Sequence, residues 1–99
     1  MNEKKLSDVT VEDVAKYIRL DEVTEDDEKL LNDLIVIAKE FIKNYTGVKE
    51  ENLDDYNDFA IVLYVLCQDM YDNRVLYVDK SNVNKVVESI LGMHSINLL

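Results

Sequence analysis

The stretch FAIVLYVLCQDMYDNR, residues 59–74, decides how the rest of the chain is read. From Phe59 to Cys67 nine consecutive residues are apolar. A run of that kind is either a strand buried on both faces or a helix whose apolar residues encircle the axis. β-branched Ile61, Val62 and Val65 suit a strand. The length of the segment, with Tyr56 before it and Met70 and Tyr71 after it, favours a helix. Such a helix starts near Asp54 or Asp55, ends near Asn73, and is packed by neighbours on several faces. It is the centre of the fold.

On its N-terminal side lies TEDDEKLLNDLIVIAKEFIKNYTG, residues 24–47. Thr24 is a helix cap, and Glu25, Asp26, Asp27 and Glu28 fill the first turn, where the positive end of the helix dipole favours acids. Leu30, Leu31, Leu34, Ile35, Ala38, Phe41, Ile42 and Tyr45 recur at the spacing of one broad apolar stripe. Gly47 is placed to take the left-handed conformation that stops a helix. The polar stretch VKEENLDD, residues 48–55, connects this second helix to the central one. Before it, Thr10 with Asp13 forms a capping-box pattern, and Val11, Val14, Ala15 and Ile18 continue on one face, so a short first helix runs to about Leu20.

After the central helix, VLYVDKSN, residues 75–82, is extended or looped. Asn82 is a candidate cap for a short last helix with Val83, Val86, Val87, Ile90 and Leu91 inward and Gly92 at its end. The chain contains no proline and two glycines, so few breakers interrupt it. The expected fold is all-α: a small bundle of about four helices, with a central apolar third helix, an extended loop after it and a short last helix.

At 99 residues the chain suits one domain with a modest core, residues 1–99. An apolar share of 47% argues against disorder. There are 21 acids against 11 bases, a formal charge of -10, which repels the phosphate backbone of nucleic acid. Lone Cys67 excludes a disulfide framework and reads as a buried thiol. MNEKKLSDVT, residues 1–10, lacks the apolar segment of a secretory signal, and IVLYVLC is too short to cross a bilayer, so a soluble, intracellular protein is expected. Asn44-Tyr45-Thr46 matches a glycosylation acceptor pattern, which carries no meaning without secretion.

Little chemistry is encoded. His94 and Cys67 are single copies of their types, one read as a tail-surface imidazole and the other as a core thiol, so neither a Cys–His pair nor a zinc site is expected. The acids around Asp21 and Asp55 lack the central glycine and ligand alternation of an EF-hand loop. No glycine-rich phosphate loop exists, since the two glycines stand far apart. No catalytic residue, cofactor or metal is assigned.

Surface remains. Tyr71, Arg74 and Tyr77 cluster at the exit of the central helix, with Tyr64 earlier on the same helix, and Tyr and Arg are enriched at interface hot spots. Two readings of this cluster stand side by side. In one, Arg74 pairs with Asp72 or with the acidic start of the second helix while Tyr71 completes the core. In the other, the cluster meets another chain. The apolar tail residues Ile96, Leu98 and Leu99 are further candidates for contact with a partner.

The order of these signals resembles the small helical head–tail connector (adaptor) proteins of tailed bacteriophages, also described as DNA-packaging or head-completion proteins. VTVEDVAKYIRLD, residues 9–21, is similar to their opening helix with its hydrophobic–Arg–hydrophobic–Asp ending. Ala38, Ile42, Tyr45, Thr46 and Gly47 match the ending of their second helix. Ala60, Leu63, Tyr71, Asn73 and Arg74 fall where they carry an apolar helix closing in Tyr-x-x-Arg, and Ile90 and Leu91 resemble their closing leucine pair. The chain departs from the pattern in lacking the prolines such proteins often carry before the third and last helices, and in ending in MHSINLL.

The resemblance implies a structural subunit and no reaction. Copies of it form a ring beneath the portal protein, extend the DNA channel and dock the next head-completion or tail protein. The partners implied are the portal protein, neighbouring copies of the chain and the downstream completion protein, with DNA passing through unbound and no membrane involved. Location follows: the virion head–tail interface, and the host cytoplasm during assembly. An acidic inhibitor that imitates DNA and blocks a nucleic-acid enzyme is the alternative, since it shares the small size and negative charge.

Overall fold

The computed structural model describes residues 5–94. Two capping boxes set the first half of the chain. Thr10 Oγ1 accepts from the Asp13 amide at 3.2 Å while the Asp13 carboxylate accepts from the Thr10 amide at 2.9 Å, opening helix α1, Val11–Ile18. Thr24 and Asp27 repeat the exchange at 3.1 and 3.2 Å and open α2, Glu25–Thr46. Each box satisfies amides that a helix start otherwise leaves without acceptors.

Helix ends are as local as their starts. Gly47 closes α2 at φ 75°, its amide donating to the Lys43 carbonyl at 2.9 Å. The fully buried Thr46 beside it donates to the Ile42 carbonyl at 2.7 Å and accepts from the Val48 amide at 3.2 Å, which steers the chain into buried Val48. α1 ends at Ile18, two residues before the expected limit, because Arg19 is left-handed at φ 70° and the Leu20 amide reaches back to the Ala15 carbonyl.

The central helix α3, Phe59–Asn73, packs on α1, α2 and the last helix α4, Lys85–His94. Phe59, Ala60, Val62, Leu63, Leu66, Cys67 and Met70 are buried along it. One strip departs from the expected all-round burial: Ile61 is 53% exposed, and Tyr64 and Val65 are half-buried beside it. The buried residues of all four helices form a single cluster, and no strand occurs among the described residues. The protein is a small all-α bundle.

α3 starts at Phe59, later than the expected Asp54 or Asp55, and a distant residue explains it. The amide of Ser7 donates to one carboxylate oxygen of Asp54 at 2.9 Å, and the Ser7 hydroxyl donates to the other at 2.5 Å. That clasp holds the short 3-10 turn Glu50–Asp55 against another, Leu6–Asp8, with Leu6 and Leu53 buried. Tyr56 is then extended, and α3 begins only beyond Asp58, whose side chain makes no cap.

The last helix also departs from expectation. Asp79 accepts from the amide and hydroxyl of Ser81 at 3.0 and 2.8 Å, folding Lys80–Asn82 into a 3-10 turn. Asn82 is thus absorbed, and Asn84 caps α4 by accepting from the Val86 amide at 2.8 Å. Val87 and Leu91 are buried and Ile90 half-buried, but Val86 faces out at 56% exposure. Gly92 lies inside α4 and does not end it. Ile96, Leu98 and Leu99 lie outside the described residues.

Candidate functional site

α3 and α2 meet where α3 ends and α2 begins, and this end of the bundle carries the candidate site. The Arg74 amide donates back to the carbonyls of Met70 and Tyr71, and the Val75 amide donates to Met70 at 3.1 Å. Together they form the glycine-type helix ending, yet an arginine at φ 57° occupies it. A left-handed L-residue costs about 1–2 kcal/mol relative to its ordinary conformations. The Arg74 side chain is exposed and makes no ion pair among the described residues, so the expected pairing with Asp72 or the start of α2 does not form.

The turn at Arg74 divides the predicted cluster. Tyr71 is half-buried against the core and, with Arg74, lines an open groove of about 260 Å³ together with Leu30, Leu34, Met70, Val75 and Leu76. Tyr77 is 60% exposed and lines a second hollow of about 250 Å³, between α3 and the 75–84 segment. Met70 and Val75 wall both spaces. Tyr64 belongs to neither: its ring stacks on Tyr17 of α1 at 5.2 Å. Leu76, 56% exposed at the rim, went unnoticed among its apolar neighbours in the sequence. Its position two residues after a non-glycine helix stop is the one signal that marks it.

Charge at this end is strongly one-sided. Residues 21–33 and 69–79 hold ten acids against two bases, a formal -8 of the chain's -10. Asp69 lines the second hollow with Asn73 and Asp79. Burial raises its carboxyl pKa above the usual carboxylate range, and the neighbouring charge of Asp72 pushes in the same direction.

At the opposite end the single histidine is better placed than a tail-surface imidazole. His94 Nε2 lies 3.0 Å from a carboxylate oxygen of Asp58, and its ring packs 4.9 Å from that of Tyr56 and 5.6 Å from that of Phe59. These contacts fasten the end of α4 to the beginning of α3. The helix runs past Gly92 to reach them. Cys67 is buried, and desolvation raises its thiol pKa to about 12. Among the described residues no group of three His, Cys, Asp or Glu side chains is arranged to hold a metal ion. No described helix is long and apolar enough to cross a membrane.

Fold and site together define a small helical bundle with one acidic, apolar-studded end. Comparison with protein-family models, with curated proteins and with solved structures finds no match to this chain.

Proposed function

We propose that the chain is a structural subunit of the head–tail connector of a tailed bacteriophage. Copies ring the portal, lengthen the DNA channel and receive the next completion or tail protein, without catalysing a reaction. One observation carries the reading: Arg74 takes a strained left-handed backbone and its guanidinium makes no ion pair among the described residues, beside exposed Leu76 and Tyr77. Glycine at that position would relieve the strain. The turn leaves Arg74 and Leu76 on the groove they both line, and a planar donor beside exposed apolar area is what another chain uses. The acidity of the chain also suits a conduit, because negative walls do not hold the phosphates of a passing strand.

The test is assembly. The purified chain, mixed with a phage portal protein, should co-sediment with the portal ring, and Arg74→Glu should remain helical by circular dichroism yet fail to co-sediment. A folded variant that loads onto the portal as well as the wild type would remove the argument from Arg74. A wild-type chain that ignores the portal and instead displaces DNA from an enzyme would replace the connector reading with DNA mimicry.

A further inference from the structure

The groove between the start of α2 and the end of α3 points to a definite kind of occupant. Its floor is apolar, from Leu30 and Leu34 on one side to Met70 and Leu76 on the other. At about 260 Å³ and open to solvent, it falls short of the ~300–1,000 Å³ of pockets that enclose small molecules. It is sized for anchoring side chains of another polypeptide. Asp26 and Asp27 stand one turn before Leu30 on the same helix face, and Asp33 one turn after it. Asp72 follows Tyr71 on the other wall.

A second copy meeting this surface through a two-fold axis would set ten acids against ten. The remaining 75 residues hold eleven acids and nine bases, so a head-to-tail contact has little net positive charge to offer this surface. Like charges across an interface are costly, and complementary ones steer encounter. We propose that this groove docks a basic amphipathic segment of a different protein, its apolar anchors on Leu30, Met70 and Leu76 and its Lys and Arg side chains against the acidic rim. Arg74 then bonds carbonyl or carboxylate oxygens of that segment. The inference rests on the connector reading in one respect: of the partners such a subunit meets, the groove faces a different protein and not a neighbouring copy.

A fluorescein-labelled Lys/Leu amphipathic peptide of 14 residues, titrated with the full chain by fluorescence anisotropy, tests it. Three comparisons separate docking from mere attraction to an acidic protein: a Lys/Ser peptide of equal charge, a Glu/Leu peptide of equal apolar content, and the charge-neutral variant Leu76→Ser. The Lys/Leu peptide should bind the wild type at least tenfold more tightly than the Lys/Ser peptide does. Leu76→Ser should lose that tenfold advantage, the Glu/Leu peptide should not bind, and 0.5 M NaCl should weaken the complex. Equal binding of the two basic peptides, or an unchanged affinity in Leu76→Ser, overturns the inference. Sedimentation with the portal keeps the two readings apart: peptide binding through Leu76 without portal association costs only the connector. Portal association together with peptide binding that Leu76→Ser leaves unchanged costs only the groove.

Discussion

Arg74 occupies a backbone site that suits glycine, and replacing it separates what the helix end requires from what the side chain does. The left-handed conformation at φ 57° costs an L-residue about 1–2 kcal/mol, which Arg74→Gly removes. Two terms oppose that gain. Glycine frees the unfolded chain by roughly 0.5–1 kcal/mol, and the lost positive charge at a helix C-terminus is worth about 0.3 kcal/mol at an exposed position. The balance is a stabilisation of about 0.5 kcal/mol, or a rise in Tm of roughly 2–4 °C for a chain of this size. Arg74→Glu keeps the strain and puts a negative charge at the negative end of the helix, so it should lower stability by about 0.5–1 kcal/mol and still fold. Thermal and urea melts followed by circular dichroism read both. Arg19, left-handed at φ 70° at the end of α1, is the control: Arg19→Gly should shift stability by a similar amount without touching association. If Arg74→Gly lost more than about 1 kcal/mol while Arg19→Gly did not, the guanidinium would be a staple of its own fold. The interface reading of this corner would then fail.

Three further outcomes follow from single contacts. Two bonds from Ser7, with help from Lys5 and Lys39, hold the Asp54 carboxyl pKa below its usual value, so its contribution to stability is complete above the unfolded value of about 4 and vanishes as pH falls through the lower folded one. Urea melts of Asp54→Asn against wild type should show a deficit at pH 6 that shrinks towards zero in strong acid, and a deficit independent of pH would refute the clasp. Cys67 should resist a thiol reagent at pH 8 until denaturant opens the bundle, because it is buried and its pKa stands at about 12; prompt labelling of the native chain would contradict its placement. Gly92 sits within α4, and beyond its own helix turn no atom of the described residues lies inside 4 Å of where a Cβ would stand, so Gly92→Ala should stabilise by about 0.5–1 kcal/mol in thermal melts. A loss of stability there would mean that Gly92 is not helical.

The parts of the fold that could be read from sequence are those fixed within a few residues. The first capping box, the cap at Thr24 and the stop at Gly47 follow from side chains a few positions apart, so Thr10, Asp13 and Thr24 announce their roles; Asp27, read only as a first-turn acid, also closes a second box. What was missed lies between segments. The start of α3 moved because Ser7, 47 positions away, holds Asp54. The cap of the last helix moved from Asn82 to Asn84 because Asp79 draws Ser81 and Asn82 into a separate turn. Gly92 lies inside α4, whose last residue His94 is fastened to Asp58 by a contact that spans 36 positions. The site was half legible for the same reason. Tyr71 and Arg74 were visible by residue type, but the left-handed turn that sends Tyr77 to another hollow, and the α2 leucines that complete the groove, depend on how two helices cross.

The acidic end is more than a consequence of helix capping. Glu25, Asp26, Asp27 and Glu28 are accounted for by the dipole at the start of α2, where acids are favourable. Asp69 and Asp72 are not: they lie at the other pole, in the last turns of α3, where the dipole disfavours them. Asp69 is further penalised by burial and by Asp72, which raise its pKa. A carboxyl whose folded pKa is raised binds its proton more tightly in the native state. The chain is therefore least penalised below the unfolded value of about 4, and the penalty grows as pH rises through the folded value. Asp69→Asn should accordingly stabilise the bundle at pH 7 and make no difference at pH 3, measured by urea melts at both. The double variant Asp69→Asn/Asp72→Asn should be more stable still and bind the Lys/Leu peptide more weakly. Charge held against the preference of its own helix is then a property of the surface, serving a partner of opposite sign. A double variant that gained stability and bound the peptide as tightly as before would leave these acids without that purpose.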